Sequence, residues 1–442
     1  MRTSPPTTPR AHRRDLAQRN HRHRRPRPIT PRLRPLTTLG TNHLVLRPVR
    51  IDSHASPRPI LAYATTCVGV SAVSPIAPVL PELADMYGVS VSTVAWVQAA
   101  VLGPGVVSAT ALMCLAERAG LLRVLKWSLF VYGVFGVSLT LHDNFALAIT
   151  SRMIQGISGG ALVAGSFALV TRLPDARRHG AISTNSALVS LMMVVGPLLG
   201  AALGLISPRA PFLIYGVAIA LALVVRAHVV RSGDNLRPSA AASKLVSSTI
   251  GRHRATALVM GLIALMQLIV FGWLLYLSPI YLAERYGLSV GQRGLVLALQ
   301  GSGAGVAALW ARRSLRAGGE LGLLALSLLL PALALLVAAV SETVALDVIA
   351  FCVASLSLGV GTPAGVSLMM WLVSTSATGI WQSTSRVGQL LGPLIAAGLV
   401  GVLPLDGVLI AGSAIASTGL IGLAAASGAR GQLGGPRGSS VA

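Results

Sequence analysis

Charge is scarce in this chain. Asp, Glu, Lys and Arg together make up 11% of its 442 residues, less than half of the roughly 25% usual in soluble domains. With 53% hydrophobic residues and a mean hydropathy of +0.71, it lacks the polar surface that water requires. Cysteine is sparser still. Cys67, Cys114 and Cys352 stand far apart in apolar stretches, which excludes a C-x-x-C redox or zinc pair and leaves them as small hydrophobes. No Walker sequence, nucleophile elbow, zinc spacing or Ser/His/Asp arrangement occurs. ATP hydrolysis and enzymatic catalysis are therefore disfavoured, and no cofactor or metal is implied. Lysine is nearly missing, with Lys126 and Lys244 the only two. The arginine excess points to a GC-rich bacterial genome and so to a bacterial inner membrane.

What is present is apolar length. From residue 59 onward, apolar runs of about 20 residues alternate with short charged or Gly/Pro-marked breaks, as bilayer-spanning helices require. The runs predict an all-α membrane protein of twelve transmembrane helices, at about 60–82, 93–115, 122–141, 145–170, 180–206, 211–230, 256–282, 292–312, 319–340, 344–372, 378–403 and 406–427. The longest polar connection, 231–255, carries Arg231, Arg237, Lys244, Arg252 and Arg254 and divides the chain into six-helix halves, 59–230 and 256–427. Residues 428–442 read as a disordered C-terminal tail. The net charge of +23 is concentrated at the other end, where residues 1–58 hold 14 of the 36 basic residues, all arginine, among Pro26, Pro28, Pro31 and Pro35. Prolines at that density block a helix or a ladder. The segment reads as a disordered cytoplasmic arm that touches anionic lipid rather than nucleic acid, unless translation starts later, which N-terminal peptide mapping would decide.

The chain also repeats itself. Tyr87-Gly88-Val89-Ser90-Val91 returns as Tyr286-Gly287-Leu288-Ser289-Val290, and Gly196-Pro197-Leu198-Leu199 as Gly392-Pro393-Leu394-Ile395. Duplicated hydrophobic halves with Gly/Pro interruptions at matching positions point to a transporter built from parallel repeats. Loop charge sets the orientation. Arg118, Arg123, Lys126, Arg172, Arg177, Arg178, Arg312, Arg313 and Arg316 fall on one side, and only Arg209, Arg285 and Arg293 on the other. The positive-inside bias places both termini in the cytoplasm.

Two short motifs carry a family resemblance. Arg152-Met153-Ile154-Gln155-Gly156 in the fourth span resembles the R-x-x-Q-G signature of the major facilitator superfamily, and Gly196-Pro197-Leu198-Leu199-Gly200 in the fifth resembles its G-P-x-x-G antiporter motif. The resemblance covers about residues 59–427 and implies two six-helix bundles that rock around a midplane site. After the second span, where that family has G-x-L-A-D-R-x-G-R-K, this chain reads Met113-Cys114-Leu115-Ala116-Glu117-Arg118-Ala119-Gly120-Leu121-Leu122. Glu117 and Arg118 keep the acidic and basic roles of this gating loop, but the opening glycine and the Arg-Lys pair are gone.

An arginine at membrane depth costs about 2.5–3.5 kcal/mol on insertion scales, so it normally faces a wet cavity or a partner. Arg152, with Gln155 on the same helical face, is therefore expected to face the central cavity, the alternative being that it snorkels to the interface. On the eleventh span Gln382, Arg386, Gln389 and Pro393 recur at helical spacing and are expected to line the same cavity, or else to form a structural polar network. Pro197 and Pro393, beside Gly196 and Gly392, kink their helices and serve either gating or packing. Arginine cannot release a proton in a protein, so proton coupling would fall to a carboxylate: Asp347, Glu82 or Asp85. The sequence thus predicts a monomeric secondary transporter that exports a small organic compound against proton entry. An importer or facilitator on the same fold, or a non-transporting membrane scaffold, is the alternative.

Overall fold

The computed structural model describes residues 57–170, 175–232, 253–316, 319–372 and 377–428, all within one compact unit, Ser53–Ala442. The expected arm and C-terminal tail, and most of the 231–255 connection, lie outside the described residues. The described part is helical: α1 (Pro57–Val70), α2 (Leu80–Tyr87), α3 (Val91–Ala119), α4 (Leu121–Ser138), α5 (Phe145–Val170), α6 (Asp175–Gly204), α7 (Gly216–Ser232), α8 (His253–Ile269), α9 (Ser278–Tyr286), α10 (Val290–Arg316), α11 (Glu320–Val340), α12 (Val344–Leu372), α13 (Ala377–Val400) and α14 (Leu405–Gly428). Among the described residues nine helices are long and apolar enough to cross a membrane. Of the other three expected spans, two hold the shorter apolar helices Pro59–Val70 and Ala210–Arg226, and the third is α13. Large apolar side chains such as Val107, Leu309 and Ile421 are left exposed on outer faces, as a lipid-facing surface requires and a water-facing one does not.

The repeat seen in the sequence is a repeat of packing. α3 packs on α5 as α10 packs on α12; α4 packs on α7 as α11 packs on α14; α1 packs on α6 as α8 packs on α13. Between the repeats, α6 meets α10 and α3 meets α13. Glycine permits the close approaches. A Cβ on Gly301 would overlap the Met193 carbonyl, and one on Gly294 would overlap Ala201. The run Gly301-Ser302-Gly303-Ala304-Gly305 is therefore a helix-packing surface inside α10. Gly88 (φ 61°) and Gly287 (φ 63°) end α2 and α9 in the left-handed conformation that glycine adopts without strain. These two tyrosine–glycine turns mark the same end of the bundle.

The first helix of each repeat is broken at the matching place. Pro75 and Pro78 lack the N–H that a continuing helix needs, and between α1 and α2 the chain runs through turns at 71–76 and a 3₁₀ turn at Ala77–Val79. In the second repeat Val270–Leu277 forms wide π-helical turns between α8 and α9. The Gly-Pro helices close on these breaks. Cβ atoms on Gly196 and Gly200 of α6 would run into Ser74 and the Pro75 carbonyl, while one on Gly392 of α13 would meet the Leu268 carbonyl and stand 2.8 Å from the Gly272 nitrogen.

Candidate functional site

Arg152 is 0% exposed and stands on α5 facing the break in the first helix. Pro75 has no N–H for the Ser71 carbonyl, and the turn that follows leaves the Ala72 carbonyl turned inward. Arg152 answers that carbonyl: Nη2 donates to Ala72 O at 2.9 Å, Nε to Val97 O of α3 at 2.8 Å, and Nη1 to Gln155 Oε1 at 2.8 Å and to the Tyr215 hydroxyl oxygen at 3.2 Å. The Tyr215 hydroxyl lies 2.9 Å from the same Ala72 O and 3.3 Å from Ser71 O. The guanidinium also lies over the rings of Phe212 and Tyr215 at 5.9 and 5.8 Å, a cation–π geometry. The structure thus places Arg152 and Gln155 inside the first repeat, with neither at the lipid interface. Deeper in the same repeat, Thr66, Ser166 and Asn185 meet, with Thr66 Oγ1 2.8 Å from Ser166 Oγ and 2.6 Å from Asn185 Oδ1. The sequence reading did not single out these three small polar residues, which lie on α1, α5 and α6.

The repeats interlock near the tyrosine–glycine turns. Glu82 of α2 forms an ion pair with Arg293 of α10. The Arg293 side chain is 1% exposed, and its Nε and Nη1 have no hydrogen-bond partner among the described residues. Sequence reading put Arg293 in an outer loop; it is buried in the first turn of α10 because α2 presents a carboxylate to it. Two further bonds cross the same seam, from Tyr276 Oη to Val91 O at 2.6 Å and from Gln98 Nε2 to Leu275 O at 3.3 Å. Trp273 and Tyr276 of the wide turn are both 0% exposed, and Trp273 Nε1 donates to Val408 O at 2.7 Å.

The other expected residues are spread out. Asp347, in the first turn of α12, is 0% exposed; Tyr286 Oη donates to its Oδ2 at 2.7 Å, and its Oδ1 has no partner among the described residues. Beside Tyr286 in the chain, Arg285 Nη1 donates to both carboxylate oxygens of Asp406, at 2.7 and 2.9 Å. Asp85 is exposed at the end of α2, and Arg118 is exposed at the end of α3. Glu117 and Gln382 lie on α3 and α13, but their side chains fall outside the described set. Pro197 and Pro393 are buried inside α6 and α13. Arg386 and Gln389 are half-buried on α13, and Arg386 reaches toward α3, where a Cβ on Gly105 would stand 2.8 Å from its Nη1. The structure therefore does not gather Arg152, Arg386 and Asp347 into one cluster.

Between the repeats lies a small cavity of about 30 Å³, bounded by Met193 of α6, Leu274 of the wide turn, Gln300 of α10 and Ser355 of α12. It has room for one or two waters. Among the described residues no group of three or more His, Cys, Asp or Glu side chains could hold a metal ion.

Comparison with known proteins bears on this architecture. Residues 60–375 match the family model of the Major Facilitator Superfamily. Over 124 residues the chain is 28% identical to the uncharacterized MFS-type transporter Rv1250 of Mycobacterium tuberculosis (strain ATCC 25618 / H37Rv), a match covering 28% of this chain and 21% of that protein. Over 122 residues it is 30% identical to the multidrug export protein EmrB of Escherichia coli (strain K12), covering 27% and 24%. The chain thus aligns with less than a quarter of the length of either relative. Solved structures share the fold: a POT family transporter in complex with 5-aminolevulinic acid, at TM-score 0.70 and 13% identity over 84% of this chain and 95% of that one; and a bacterial homolog of the human lysosomal transporter Spinster, inward-facing and unoccupied, at TM-score 0.62 and 14% identity over 84% and 94%. The human organic anion transporter MFSD10 matches at TM-score 0.61 and 18% identity, over 83% and 100%. Two repeats with the same packing and a family match running from the first helix past α12 make the chain a member of the Major Facilitator Superfamily.

Proposed function

We propose that the protein is a proton-coupled exporter of a small organic compound that works by alternating access, with both termini in the cytoplasm and the tyrosine–glycine turns outside. The observation that carries this reading is the interlock between the repeats. Glu82 with Arg293 and Tyr276 with Val91 join the two six-helix units at one end, as a gate that parts when the units rock would require. The Gly-Pro motif on α6 and the partial similarity to a multidrug export protein support export. The buried carboxylate Asp347, held by one tyrosine and otherwise unanswered among the described residues, suits proton exchange better than the exposed Asp85.

Liposome reconstitution tests the reading in either protein orientation. A resistance screen in a pump-deficient host supplies the substrate. With an acidic lumen, an antiporter drives that substrate into the vesicle, a symporter drives it out, and a facilitator ignores the gradient. Gradient-driven entry in the wild type and its loss in Asp347→Asn are the expected results; entry that is unchanged in Asp347→Asn removes that residue from the coupling.

A further inference from the structure

Most arginines that the bundle draws away from water have their charge answered. Arg152 is answered by two carbonyls and Gln155, Arg209 by Asp143, Arg285 by Asp406 and Arg293 by Glu82. Arg386 is different. It lies fourteen residues before the end of α13 at Val400, hence about 20 Å from the tyrosine–glycine end, inside a hydrocarbon core about 30 Å thick. Among the described residues no carboxylate pairs with it, and its Nε is buried without a hydrogen-bond partner. Its tip crosses the seam between the repeats and lies against α3, where the missing side chain of Gly105 makes the room. On the same helix Trp381 Nε1, Thr384 Oγ1 and Ser385 Oγ are also buried with no hydrogen-bond partner among the described residues. A cation in that setting is unfavourable until an anion completes it.

We infer that Arg386 is the anion-recognition group of the transport site, and that the substrate is an amphiphilic small molecule carrying a carboxylate, sulfonate or phosphate-like group. The planar guanidinium suits such a group because it can donate two parallel hydrogen bonds to it. Its place on the seam means that a bound anion sits on α13 of one repeat beside α3 of the other, where it can influence how the two move. This rests on the transporter reading above and adds the class of substrate.

Fluorescein and rhodamine 6G, xanthene dyes of similar size and opposite charge, separate the possibilities. Binding is followed by fluorescence anisotropy with the full chain in nanodiscs of zwitterionic lipid. Fluorescein is expected to bind at least ~10-fold more tightly than rhodamine 6G, with the preference lost in Arg386→Gln and partly kept in Arg386→Lys. Gly105→Ala keeps the cation but crowds Nη1, so it is expected to weaken fluorescein several-fold and leave rhodamine 6G unchanged. Should Arg386→Gln fail to fold, the Lys and Gly105→Ala variants carry the test. Equal or tighter binding of rhodamine 6G, no measurable fluorescein binding, or fluorescein affinity unchanged in a folded Arg386→Gln protein would overturn the inference. Dye flux into acid-lumen liposomes keeps the two readings apart. Arg386-dependent binding with no response to the gradient leaves the anion site standing and sinks proton-driven export, whereas gradient-driven flux with no charge preference does the reverse.

Discussion

Arg152 devotes its whole guanidinium to the protein, and that sets what its loss should do. Arg152→Ala takes one donor from each of the Ala72 and Val97 carbonyls, which keep the Tyr215 hydroxyl and a helical N–H respectively, and strands the buried Gln155 Oε1, at about 1–3 kcal/mol for the stranded oxygen. Arg152→Lys should recover only part of this, since an ammonium cannot span three directions as the fork does. Both variants are expected to lower the thermal unfolding temperature in detergent, alanine more than lysine. An Arg152→Ala protein that melted like wild type yet no longer transported would instead return Arg152 to substrate binding. The depth of this arginine was legible in the sequence, because Gln155 and Gly156 share its helical face. Its partners were not, because backbone carbonyls leave no mark in composition; Pro75 and Pro78 were the available signal that some carbonyls there would need a donor from elsewhere.

At the scale of the helix, α6 and α13 are held against broken neighbours by glycines, and single methyl groups should separate packing from passive tolerance. Gly200→Ala drives a Cβ into the Pro75 carbonyl, whereas Gly398→Ala meets nothing within 4 Å. The first is expected to destabilise the protein by about 1–3 kcal/mol, as overpacking does, and the second to leave the melting temperature and expression level unchanged. If both behave alike, the contact of α6 with the break in the first helix is not a constraint. Hydropathy was enough to place the helices, because a bilayer demands long apolar runs whatever their neighbours. The interruptions were not read: 60–82 and 256–282 look continuous in composition. The first break has prolines to betray it. The second, Val270–Leu277, contains none and is set by the approach of Gly272 to Gly392, a tertiary contact that no local pattern encodes.

For the molecule as a whole, the Glu82–Arg293 pair is where one repeat holds the other by charge. Glu82→Gln leaves Arg293 buried and unpaired, which biases the protein away from the state in which this end is closed. A cysteine at Val290, buried beside Gly204, reports that bias once Cys67, Cys114 and Cys352 are replaced. Maleimide labelling is expected to run several-fold faster in Glu82→Gln than in the parent, and equal rates would show that the pair does not hold this end shut. Arg293 was misplaced from sequence for a reason that applies widely: a charged residue next to a turn signal reads as loop until the partner that buries it, here more than 200 positions away, is known. Tyr276 sits in the wide turns of the second repeat and bonds Val91 of the first. Each residue taken into or out of such a turn moves the rest of the helix by about 1.5 Å and rotates it by about 100°. A slip of one residue at Val270–Leu277 is therefore enough to swing the Tyr276 hydroxyl off the Val91 carbonyl, so the second repeat carries, in its own backbone, a ratchet tooth engaged with the first.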